Sequence, residues 1–173
     1  MLKNLEPYVM ELEQEAGTTR KCFDQIPENK MGWRPHEKSF SIGELAMHIA
    51  MFPAICVEFL SVDEFASDKE LDRITPRSRQ EIHSTFDASL KTIKEYFSGI
   101  DEQTLMGNWK LVLNGQEIVS GPRNQILRPF LMSHMYHHRG QLSVYLRLLN
   151  VPVPPIYGPT ADFNPFREKV STI

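Results

Sequence analysis

Leu5, Val9, Leu12 and Ala16 recur at spacings of three and four, the pattern one buried face of an α-helix requires. Asn4 offers an N-cap, Pro7 falls in the first turn where its missing N–H costs little, and Asp24-Gln-Ile-Pro27 closes the segment. A first helix is therefore predicted over 4–23. After a polar loop with Trp33 and Pro35 as anchors, Ser41-Ile-Gly-Glu44 has the Ser-x-x-Glu capping-box pattern and opens a second helix over 41–60. Pro53 in its interior deprives the Ile49 carbonyl of its backbone partner and predicts a kink. Thr75-Pro76 supplies an N-cap and a first-position proline for a third helix over 77–98, whose stripe is Ile82, Phe86, Leu90, Ile93 and Phe97.

The period then changes. Lys110-Leu-Val-Leu and Glu117-Ile-Val flank Asn114-Gly115, which reads as a short β-hairpin with a type I′ turn. A fourth helix is predicted over 123–149, with Pro129 either kinking it or delaying its start and Asn150 as a left-handed cap. The proline-rich stretch after it, Val151-Pro-Val-Pro-Pro-Ile-Tyr-Gly-Pro159, is expected to lie as an extended strap over the helices. The pattern specifies an all-α chain: one four-helix-bundle domain over 1–173 with a hairpin before its last helix.

Composition removes several function classes. Of 173 residues, 41% are hydrophobic and 24% charged, ordinary for a globular chain. The net charge is −3 and the 19 Lys and Arg residues are scattered, so neither a nucleic acid nor an anionic membrane is an expected partner. The apolar run 45–60 contains His48, Pro53 and Glu58 and is shorter than the ~20 residues of a membrane span. The N-terminus has no apolar signal core. Cys22 and Cys56 form no CxxC pair and no disulfide framework; they are read as small buried apolar residues in a reducing cytoplasm.

The candidate chemistry lies in the histidines. Three of the six crowd into Ser133-His-Met-Tyr-His-His-Arg-Gly-Gln141. At ~100° per residue, Leu127, Leu131, Leu142, Tyr145 and Leu149 fall within about 60° of arc. His134 and His138 lie inside that arc, one turn apart, whereas His137 lies roughly 100° from its centre. On the second helix His48 shares a face with Leu45, Phe52, Ile55 and Phe59. His36 and His83 are expected to be solvated. A lone histidine on an apolar face is ordinarily a core residue held by one hydrogen bond. Three in one core need partners for two nitrogens each, and the inward stripes offer few; one metal ion satisfies three nitrogens together. The expected site is a divalent transition-metal ion held by His48, His134 and His138.

The segment His134-Met-Tyr-His-His-Arg-Gly-Gln141, followed by Tyr145-Leu-Arg-Leu-Leu-Asn-Val-Pro-Val-Pro-Pro-Ile-Tyr-Gly-Pro159, resembles the last helix and tail of the DinB-like (DinB/YfiT-like) metalloenzyme family. Trp33-Arg-Pro35 and Ser41-Ile-Gly-Glu-Leu-Ala-Met-His48 resemble the start of that family's second helix and its first ligand. The resemblance runs in order from residue 5 to residue 163 and departs at Asn150, where the family often has Gly, and at Pro129. It implies a four-helix bundle whose three histidine ligands map onto His48, His134 and His138, in agreement with the helical phase.

Three neutral imidazoles without a fourth protein ligand match open, catalytic-type coordination rather than the closed four-ligand sphere of structural zinc. Zinc is the first choice and nickel the second. The family includes bacillithiol S-transferases and the mycothiol-dependent maleylpyruvate isomerase, so the resemblance implies a transferase using a small cellular thiol as nucleophile, and a homodimer. A non-catalytic metal-binding or stress-response protein and a metal-dependent hydrolase are the alternatives, since no catalytic residue is identified. Arg139 and Arg147 are candidates for binding a thiol's carboxylates, against the plainer reading that they are solvated or bridge helices. Glu44 and Gln141 are candidates for orienting a ligand imidazole.

Overall fold

The computed structural model describes residues 1–166; residues 167–173 of the domain expected over 1–173 lie outside the described residues. The apolar stripes build α1 (Glu6–Asp24), α2 (Ile42–Leu60) and α3 (Arg79–Gly99) around one shared core. A last segment runs without a break through α5 (Arg123–Leu127), a π-helical turn (Arg128–Ser133) and α6 (His134–Leu148). A one-turn α4 (Glu102–Met106) follows α3, with Asp101 accepting from the backbone N–H of Thr104. The chain is mostly helical, and α2 is its central element, packed against both α3 and α6.

Length and composition alone would let α2 cross a membrane, but 67% of its most apolar stretch is buried inside the protein, as in a core helix. Its start is the predicted capping box: Glu44 N–H donates to Ser41 Oγ at 3.2 Å and Ser41 N–H to Glu44 Oε2 at 2.7 Å. Gly43 is required there, because a Cβ would stand 2.9 Å from the Met31 carbonyl oxygen. Pro53 leaves the helix continuous, and α3 repairs the gap beside it. Ser89 Oγ accepts from Ala54 N–H at 2.8 Å and lies 3.2 Å from the Met51 carbonyl, to which it donates. Ser89 is 3% exposed. Ser89→Ala is expected to destabilise the fold by about 1–3 kcal/mol, since two buried backbone groups lose their partner; urea denaturation measures it.

Several boundaries differ from expectation. Lys3–Leu5 forms a 3-10 turn, so α1 begins at Glu6 and its N-cap position is Leu5, without a side-chain cap, instead of Asn4. α3 begins at Arg79 with Ser78 as its cap, two residues after the expected start; Pro76 is buried beside Gly43 instead of leading the helix. Pro129 does not delay the last helix: it falls in the π-helical turn that joins α5 to α6 and accommodates its missing N–H.

The hairpin is β2 (Asn108–Leu113) and β3 (Gln116–Pro122), turning through Asn114 and Gly115 at φ 49° and 72°, as the Asn-Gly pair predicts. It is part of a larger sheet than expected. β1 (Glu64–Ser67) pairs parallel to β2, giving a mixed three-stranded sheet in the order β1-β2-β3. The sheet docks on the C-terminal end of α2, where backbone carbonyls need donors. Trp109 Nε1 donates to the Phe59 carbonyl at 2.8 Å, and the buried Arg123 donates to the carbonyls of Leu60 and Val62.

α6 ends in the predicted left-handed Asn150, φ 57°, with Val151 N–H bonded to Leu146 and Asn150 N–H to Arg147, a Schellman arrangement. The strap over 151–159 has no regular secondary structure, bends at 156–158 and buries Val153. Asp162 ties it to α6 by pairing with Arg147 and accepting from Val153 N–H.

Candidate metal centre

α2 and α6 bring His48, His134 and His138 together. His134 and His138 stand one turn apart at the start of α6, and His48 faces them from the second turn of α2. His48 Nε2 lies 2.9 Å from His134 Nε2, and one ligand atom from each of the three rings lies within 4.8 Å of the others. All three are half-buried, not core residues. The buried stripe of the last segment is Leu131, Met135, Arg139, Leu142 and Leu146, and the histidines flank it. The expected arc placed them more deeply than they sit because it counted Tyr145 and Leu149, which are themselves only half-buried.

Aromatic rings fix the imidazoles. Phe52 stacks on His134 with centroids 3.7 Å apart and planes 8° from parallel, and Phe40 stacks on His48 at 5.5 Å while meeting His138 edge-on. In this apolar setting the charged form is disfavoured. Burial, reinforced by the His138 imidazole, holds His48 down at about 4. Burial and the neighbouring imidazoles hold His134 down at about 3, and burial likewise lowers His138. At neutral pH the site therefore presents three uncharged imidazoles, each with a lone pair to give.

Gln141, one turn beyond His138, adds tautomer control: its Oε1 lies 2.8 Å from His138 Nδ1. That contact keeps the proton on Nδ1 and leaves Nε2 as the donor atom. This donor set suits a divalent transition metal: three neutral nitrogens converge, one is oriented from behind, and among the described residues no carboxylate or thiol joins the group. Gln141→Leu is expected to weaken metal affinity about 10–100-fold with the fold intact, measured by competition with a chromophoric chelator.

The remaining histidines stay out of the group. His137 is exposed, as its phase predicts. His36 is exposed and accepts from Lys38 N–H, whereas His83 is half-buried and paired with Asp24 rather than solvated. Arg139 does not reach a ligand position. It is 2% exposed, paired with Glu15 at 2.5 Å and bonded to Thr19 and Tyr157, so it bridges α6, α1 and the strap. Arg147 is engaged by Asp162. Glu44 is committed to Ser41 and Arg34 and orients no ligand. Both cysteines are buried and free of disulfides, and burial pushes Cys22 up to about 11 and Cys56 well above its ordinary value, as befits inert core thiols.

The centre has a mouth. A cavity of 370 Å³ opens on His48 between α2 and the sheet, walled by Phe40, Phe59, Phe65, Leu71, Leu111 and Arg73. A smaller hollow of 190 Å³ reaches His48 from the other side of Leu71–Arg73. A larger groove, 610 Å³, lies between α1 and α3 and is lined by none of the histidines. Phe40 and the β1 wall had no signature in the sequence; Phe52 carried one by sharing the helical face of His48, and Gln141 through its one-turn spacing from His138.

Comparison with known proteins places this arrangement. The profile described as the DinB family matches residues 1–165. The chain belongs to the DinB family. It is 26% identical over 166 residues to the protein YrdA of Bacillus subtilis (strain 168), covering 94% of this chain and 93% of YrdA. Its fold is similar to that of a DinB-like protein from Bacillus cereus ATCC 10987, with a TM-score of 0.68 and 19% identity over 88% of this chain and 97% of the other. A DinB family member from Exiguobacterium sibiricum 255-15 gives a TM-score of 0.63 and 20% identity, covering 95% and 99% of the two chains. At those identities the two structures speak for the DinB fold alone.

Proposed function

We propose that this DinB protein is a metal-dependent transferase that uses a small cellular thiol, with His48, His134 and His138 holding one divalent ion, zinc first and nickel second. The observation that carries the reading is three uncharged imidazoles converging without a fourth protein ligand, one of which, His48, lines a cavity. A divalent ion bound there supplies Lewis acidity that favours a thiol in its thiolate form. The chain's own residues do the rest. Gln141 holds the His138 tautomer, Phe40 and Phe52 fix the ring planes, and the phenyl-lined cavity excludes water around a bound pair of reactants. The protein then needs no nucleophile of its own, consistent with two inert cysteines. The hydrolase alternative finds no carboxylate within the histidine group itself among the described residues, and Glu44 is already engaged by Ser41 and Arg34.

The test is zinc-loaded protein offered glutathione, bacillithiol or mycothiol with a chromogenic electrophile. A rate above background that disappears in His134→Ala supports transfer. Background rates with all three thiols at full metal content make the non-catalytic, metal-binding stress protein the better reading. We further propose that the four long helical segments are the family's four-helix bundle, that one domain accounts for the chain, and that it acts as a homodimer in the cytoplasm. Reduced, buried cysteines suit that compartment. A monomer mass in light scattering at micromolar concentration removes the dimer.

A further inference from the structure

One cation stands over the histidines without a carboxylate partner. Arg73 places its guanidinium 4.7 Å from the centre of the Phe40 ring, the same ring that stacks on His48. A single phenyl ring thus separates the guanidinium from an imidazole of the candidate centre. Among the described residues the side chains of Arg73 and Arg77 form no salt bridge and no hydrogen bond, whereas Arg20, Arg34, Arg79, Arg123, Arg128, Arg139 and Arg147 are all paired; of the two, Arg73 lines the cavity. Its five N–H donors are turned over to solvent at the rim of the 370 Å³ cavity.

The wall below is mainly hydrocarbon: Phe40, Phe59, Phe65, Leu71, Leu111 and Leu113. Phe59 and Phe65 stack at 3.9 Å and make it stiff. At 370 Å³ the cavity is at the lower end of the ~300–1,000 Å³ typical of small-molecule sites, too small for a macromolecular segment. Lys69, Glu70 and Asp72 share the rim and, with Arg73, sum to zero charge, so a general field does not choose the ligand. Position does: of these four, Arg73 is the one anchored on a ring that touches the histidines. Guanidinium forks recognise carboxylates in two-pronged geometry.

We propose that the cavity binds a small carboxylic acid with an aromatic or aliphatic body, its carboxylate paired with Arg73 and its body lying along Phe40, Phe59 and Phe65 towards the histidines. Arg73 is then the specificity-determining residue of the site. The assignment rests on the proposed function only in taking this cavity as the substrate's, and it makes the electrophile that meets the thiol a carboxylate-bearing one.

The experiment is isothermal titration calorimetry on zinc-loaded protein of measured metal content, repeated on metal-free protein. The probes are phenylacetate, 3-phenylpropionate and hexanoate, each beside its uncharged amide. At least one acid is expected to bind about tenfold or more tighter than its amide, and Arg73→Gln to erase that preference while Lys69→Gln keeps it. The preference is expected with and without metal, so it survives even where thiol transfer itself is not detected. The proposal is overturned if no acid outbinds its amide. It is equally overturned if Arg73→Gln retains the preference, because the carboxylate then sits on the metal instead.

Discussion

His134→Ala is expected to reduce metal retained through purification from about one ion per chain to background, and His48→Ala and His138→Ala to do the same. The reason is the ligand count. A site of three imidazoles has no spare protein donor, since no fourth His, Cys, Asp or Glu joins the group among the described residues. Two imidazoles left on one face would hold zinc weakly against buffer and chelator. His137→Ala is the control: it is next to His138 in sequence yet exposed, and its removal should leave metal content unchanged. Elemental analysis with circular dichroism on the same samples separates lost metal from lost fold. Full metal content in all three ligand variants would sink the centre.

The second large effect is on stability. Arg139→Ala is expected to destabilise the protein by about 3–5 kcal/mol, because removing one partner of a buried ion pair leaves the other charge unsolvated. Glu15 is 6% exposed and Arg139 2%, and the pair joins α1 to α6 directly behind His138. Tyr157 bonds to both, so the strap loses its anchor as well. For a chain of this size that corresponds to a drop of roughly 6–20 °C in melting temperature. Arg128→Ala is the contrast. Its pair with Glu11 is two-pronged but lies with Arg128 52% exposed, and its loss should cost under ~1 kcal/mol. Glu15→Gln combined with Arg139→Met should recover part of the single-variant loss. Equal costs for Arg139→Ala and Arg128→Ala would show the buried pair to be no more than a surface one.

Both effects bear on how the three histidines are held in this chain. The imidazoles are held at the edge of the core by stacking and one glutamine, while the helix that carries two of them is pinned from behind by Arg139. Placing the histidines on the flank of the buried stripe keeps them uncharged yet reachable.

What the sequence by itself determined was whatever depends on neighbours within one or two turns. The capping box at Ser41 and Glu44, the Asn114-Gly115 turn, the left-handed Asn150 and the one-turn pairing of His134 with His138 are all local rules, and each appears as read. The exclusion of His137 was local too, since one residue turns a helix by ~100°. Tertiary structure decided the rest. β1 has four residues and one half-buried phenylalanine, too little pattern to register until β2 lies parallel beside it. α1 starts without a side-chain cap where Leu5 is buried, and α3 exchanges the expected Thr75 cap for Ser78 while Pro76 is buried beside Gly43. Arg139 reads from sequence as an ordinary surface cation; only the approach of Glu15, 124 residues earlier, makes it the buried clamp of the core. Long-range burial is a property of the packed chain, and no periodicity along it carries that information.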